Sequence, residues 1–174
     1  MMNALSSQSR YDLIETNSGY GFITDFGNEY LVTFSDLSSA IDLTGLMVFD
    51  FGIEILNRQD AKNDISFGKL RNTIVHLLKQ LWTKQPECAI LVVLDTTDQK
   101  QRARYRMFLS PRHDSWFTLC NEGRIDCISL PLRMPGMENV CFLLVQKDNP
   151  RLDDIRTSVA EYIAVSFGES SDSQ

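Results

Sequence analysis

At 174 residues, with 43% apolar and 23% charged residues, the chain has the composition of one globular domain, 1–174, and disordered and fibrous classes are excluded. A formal net charge of -6 argues against a general binder of nucleic acid or anionic membrane, because such proteins need positive faces to release counterions, and leaves only a local basic patch for that role. No apolar run approaches the ~18 residues of a membrane helix, and the first residues lack the basic start and apolar centre of a signal peptide, so a cytoplasmic protein with no membrane partner is expected.

After a polar lead of ten residues, expected to be a flexible end, residues 11–16, 20–24 and 29–34 form three short aromatic and β-branched runs. Asn17-Ser18-Gly19 and Asp25-Phe26-Gly27-Asn28 separate them, and both have turn compositions able to supply positive φ. This pattern predicts a β-meander. Tyr20, Phe22 and Thr24 point to one face, and Gly21 and Ile23 to the other. Alternation after Phe49 predicts a fourth strand ending near Leu56. A polar loop, 57–64, offers Asn63 or Asp64 as an N-cap. Phe67, Leu70, Ile74, Leu77, Leu78 and Leu81 then recur at three- and four-residue intervals and predict one face of a long helix, limited by Pro86.

Residues 89–94 are short and uniformly apolar, as a central strand buried on both faces must be. Asp98 is placed to cap a second helix running to Leu109, with Pro111 as its stop. Strands around 124–130 and 139–146 follow, and Asn149-Pro150 opens a last helix with Ile155, Val159, Tyr162 and Ile163 on one face. The tail from Gly168 is expected to fray. The fold class that emerges is α+β: a mostly antiparallel sheet, made of an N-terminal meander, the central strand 89–95 and two C-terminal strands, flanked by three helices.

Chemistry is sparse. Cys88, Cys120, Cys127 and Cys141 lack a Cys-x-x-Cys spacing and are expected to be reduced core residues, so no metal site is expected. His76 on the long helix is expected to be packed. His113-Asp114-Ser115 is no triad, because triads are assembled from distant segments. The aromatic meander face of Tyr20, Phe22, Tyr30 and Phe34 lacks interleaved lysine or arginine, which favours core over base stacking. The densest cluster is Asp95, Asp98, Lys100, Arg104 and Arg106, where a strand end feeds a helix start beside guanidinium groups suited to phosphate or carboxylate. The same residues also suit helix capping and sheet-to-helix ion pairs.

Two resemblances follow from these residues. The order of predicted elements over residues 20–147 resembles the core of the CoA-dependent N-acetyltransferase superfamily. That likeness implies a Gln/Arg-x-x-Gly-x-Gly/Ala loop holding the pyrophosphate of acetyl-CoA at a helix N-terminus. The corresponding stretch here is Arg58-Gln-Asp60-Ala61-Lys62-Asn63-Asp64, which keeps an arginine, lacks both glycines and adds two carboxylates. A closer likeness rests on four sets of residues. These are Tyr11-Asp-x-Ile-Glu-Thr with Gly19-Tyr20, Thr24-Asp25-x-Gly27-x-x-Tyr30, Asp95-x-x-Asp98-x-Lys100-x-x-Ala103-Arg104-x-Arg106-x-Phe108, and Lys147-Asp148-Asn149-Pro150. As a set they resemble a family of short bacterial proteins of Bacteroidetes type, known only as a domain of unknown function. Lys100 stands where that family has arginine, which removes a bidentate donor there.

The sequence therefore leads to a non-enzymatic interaction module that recognises a protein partner or small anionic ligand through the basic helix, without a cofactor. A homodimer is compatible with this reading. A degenerate acetyltransferase-like enzyme is the alternative, and a nucleic-acid binder using the same helix is the third.

Overall fold

The structure, a computed structural model, describes residues 10–41, 45–59, 67–94, 125–130 and 141–167. The meander forms where the alternation predicts it. β1 (Ile14–Thr16), β2 (Gly19–Ile23), β3 (Glu29–Asp36) and β4 (Val48–Asn57) pair antiparallel in succession. Its first turn depends on glycine: Gly19 has φ of 156°, and a Cβ there would stand 2.1 Å from the Val32 carbonyl oxygen. Thr16 Oγ1 closes that turn, accepting from the N–H groups of Ser18 (3.3 Å) and Gly19 (3.1 Å). Phe22 turns into the core while Ile23 stays 54% exposed, so the period of two is kept. Tyr11, Phe22 and Tyr30 stack face to face at 5.4 and 5.1 Å.

Among the described residues the sheet has seven strands in the order β1-β2-β3-β4-β5-β7-β6, with β5 at Ala89–Val93, β6 at Ile125–Leu130 and β7 at Cys141–Gln146. β4 and β5 are parallel, and every other neighbouring pair is antiparallel. Parallel neighbours need a crossover, and the helix α1 (Phe67–Lys84) supplies it. The predicted apolar stripe holds: Leu70, Ile74, Leu77 and Leu78 are buried against Phe22, Val32, Phe51, Ile90 and Val92. The opposite face carries α2 (Leu152–Phe167), whose Ile155, Val159 and Ile163 pack on Val48, Leu91, Leu143 and Val145. Each of these side chains contributes roughly 1.5–3 kcal/mol through burial.

Asn149 does more than cap α2. Its Oδ1 accepts from the Arg151 N–H at 2.9 Å, while its Nδ2 donates to the Glu87 carbonyl at 2.9 Å and so ties the helix start to the approach of β5. The fold class is α+β as expected. Among the described residues there are two helices, and the helix expected over 98–109 lies outside them. The ends at 1–9 and 168–174 and the N-cap choices Asn63 and Asp64 also lie outside. One expectation is corrected. Cys88 and Cys141 are buried free thiols, whereas Cys127, on the outermost described strand β6, is exposed. Cys120 lies outside the described residues.

Candidate functional site

The parallel pair sets the candidate site. β4 and β5 pair from Val48↔Ala89 to Phe51↔Val92 and no further. β4 then continues through residues 52–57, roughly 20 Å at ~3.3 Å per residue. Along that stretch β3 is its neighbour on one side, and among the described residues no strand pairs with the other. The sheet therefore opens at the carboxyl ends of its parallel strands, where open α/β arrangements place ligands. Both polar connections of interest leave from this end: the chain after Asn57 toward α1, and the chain after Leu94.

A single turn anchors the β4–α1 connection on both flanks. Asn28, fully buried between β2 and β3, accepts the Gln59 N–H on its Oδ1 at 2.7 Å. Within the same turn the Asn28 N–H donates to Thr24 Oγ1 at 3.1 Å, and the Thr24 N–H donates to the Asn28 carbonyl at 2.9 Å. Three residues back, Asp25 accepts two hydrogen bonds from Lys69 Nζ, at 2.7 and 2.8 Å, in the first turn of α1. That bond raises the Lys69 pKa, and the ammonium also lies 5.5 Å from the centre of the Tyr11 ring. Thr73 Oγ1 adds a third tie by accepting the Tyr11 N–H at 2.9 Å.

On β4 the exposed Glu54 lies within the opening itself, and Asp50 lies just before it, where β4 is still paired with β5. Asp50 sits half-buried beside Leu91 on the face that α2 covers, and burial raises its carboxyl pKa. Sequence reasoning missed it. Its signal was a carboxylate at an inward position of the alternating run Val48-Phe49-Asp50-Phe51. The raised pKa reports lost hydration, and the same carboxylate in turn helps hold the buried Cys141 thiol up at about 12.

The sequence-predicted cluster of Asp95, Asp98, Lys100, Arg104 and Arg106 lies outside the described residues, as does the run His113-Asp114-Ser115. Of the acetyltransferase-like loop, Arg58 and Gln59 are described and residues 60–64 are not. His76 is part-buried on α1, as expected, and burial together with Arg10 and Lys79 lowers its pKa. Phe22 and Tyr30 are core residues in mutual stacking, so neither offers a face to a nucleobase. No group of three or more His, Cys, Asp or Glu side chains suited to a metal occurs among the described residues. No described helix is long and apolar enough to cross a membrane. No protein-family model matches the chain, and no curated protein matches it.

Proposed function

We propose that this chain is a non-enzymatic binding module that takes an anionic group at the carboxyl ends of β4 and β5, with Lys100, Arg104 and Arg106 as the cationic donors and Asp95 and Asp98 orienting them. The anion belongs either to a small ligand or to the acidic surface of a protein partner. One observation carries the reading: the sheet's parallel pair opens at the end from which the basic segment departs. Support also comes from the double anchoring of the neighbouring connection, which gives a ligand a fixed wall.

A second reading, an acetyltransferase-like CoA binder, is favoured by the overrun of β4 past β5: among the described residues no strand pairs with the β5-side edge of residues 52–57, where an extended ligand could add. The glycine-free stretch 58–64 with Asp60 and Asp64 opposes it, because two carboxylates repel a pyrophosphate.

A thermal-shift titration with CoA, acetyl-CoA, pyrophosphate and a set of nucleotides tests both. A ligand at 100 times its Kd stabilises by about 2.7 kcal/mol. At ~2–4 °C per kcal/mol for a chain of this size, the midpoint rises by roughly 5–11 °C. A shift common to all the phosphates supports the anion module, and one confined to CoA and acetyl-CoA supports the second reading. Silence across the whole set overturns the small-ligand form of both.

A further inference from the structure

Two cavities of about 340 Å³ each meet on the α1 face of the sheet, well away from the carboxyl ends of β4 and β5. They share Tyr20 and Gln80 as a common wall. The first has an apolar wall, where Tyr20, Phe34 and Phe49 from the sheet face Leu77 and Leu81 one turn apart on α1, and a polar side with Lys84 and Gln85. Its rim is the β1–β2 turn, held in place by Thr16 Oγ1 and by the close approach of Gly19 to Val32. The second is polar and carries both signs of charge. Arg10 and His76 line it together with Asp12 and Glu15.

Arg10, Asp12 and Glu15 form no ion pair with one another, although they surround one cavity. Opposite charges left apart around a concave surface suit a ligand that carries both charges itself. The adjoining aromatic chamber suits a flat apolar substituent on that same ligand.

We propose that this groove binds a small zwitterion with an aromatic side chain, of the class of a free aromatic α-amino acid. The ring occupies the chamber formed by Tyr20, Phe34, Phe49, Leu77 and Leu81. The ammonium faces Asp12 and Glu15, the carboxylate faces the Arg10 guanidinium with the uncharged His76 imidazole beside it, and the Gln80 amide lies between. The site is independent of the anion-binding reading above, because it uses none of the same residues.

Isothermal titration with phenylalanine, phenethylamine, 3-phenylpropionate and glycine tests the proposal on the wild-type chain and on Arg10→Gln. Phenylalanine is expected to bind, with each of the three truncated probes at least about tenfold weaker, since each loses one of the three contacts. Arg10 is exposed, so its substitution leaves the fold intact; it is expected to bring phenylalanine down to the affinity of phenethylamine. A Leu81→Trp variant, checked for folding by circular dichroism, is expected to fill the apolar chamber and abolish binding. Equal affinity for phenylalanine and phenethylamine in the wild type would overturn the proposal. So would unchanged binding by a folded Leu81→Trp chain, or no binding by any probe at about 10 mM.

Discussion

Replacing Asn28 by alanine tests how the β4–α1 connection is held. The Asn28 side chain has 0% exposure, and its Oδ1 accepts the Gln59 N–H at 2.7 Å across 31 residues of chain. Alanine removes the acceptor and leaves a part-buried N–H without its partner, which costs about 1–3 kcal/mol. The void left by the amide raises the expected loss to about 2–3 kcal/mol, since the surrounding turn relaxes only in part. For a domain of this size that corresponds to a midpoint lower by roughly 4–12 °C. The Thr24 N–H keeps its bond to the residue-28 carbonyl, because that acceptor is backbone, so the turn itself survives. Urea denaturation followed by circular dichroism reads the change, with the slope unaltered because the same surface is exposed on unfolding. A loss below about 0.5 kcal/mol would refute the claim that Asn28 anchors the end of β4.

Gly19→Ala places a methyl 2.1 Å from the Val32 carbonyl in a backbone conformation that side chains avoid, and a loss of at least about 2 kcal/mol is expected in the same assay. Wild-type stability there would show that the turn repacks. Burial raises the Asp50 pKa, so the native state favours the protonated acid; its cost is absent below the unfolded-state pKa and grows as pH rises through the native one. Asp50→Asn should therefore gain stability over wild type as pH rises through that window, and parallel pH profiles for the two proteins would exclude the effect. The thiols of Cys88 and Cys141 are pushed up to about 12 by burial, so both should resist iodoacetamide at pH 8 until the chain unfolds. Mass spectrometry of the labelled native protein checks this, and rapid alkylation at either residue would contradict their packing.

The parts of the fold legible in the sequence are those governed by short-range rules. The meander could be read because Asn17-Ser18-Gly19 and Asp25 to Asn28 are turn chemistry between alternating runs, and α1 because Leu70, Ile74, Leu77 and Leu78 repeat at helical spacing. The burial of β5 from Ala89 to Val92 was legible from a run without a polar residue, whereas the exposure of Val93 at its end was not. The insertion of β7 between β5 and β6 was not legible, since neighbour choice depends on long-range register rather than on chain order. The exposure of Cys127 was not legible either, since it depends on how far the neighbouring elements cover β6. For the candidate site, the sequence pointed to the segment after β5, while the opening beside β4 depends on where pairing stops at Phe51, a property of two strands at once. Asn28 and Asp25 read as turn residues in the sequence, and their second role appears only with Gln59 and Lys69 brought against them.

The most direct test of the central claim compares wild type with an Arg104→Ala/Arg106→Ala double variant in titrations with pyrophosphate and CoA, alongside their unfolding midpoints. The account predicts that binding falls by at least about tenfold per arginine while the midpoint changes by less than about 2 °C, because these cations serve the ligand. Binding retained in the double variant, or a loss of stability that matches the loss of binding, would contradict it and return Arg104 and Arg106 to a purely structural role.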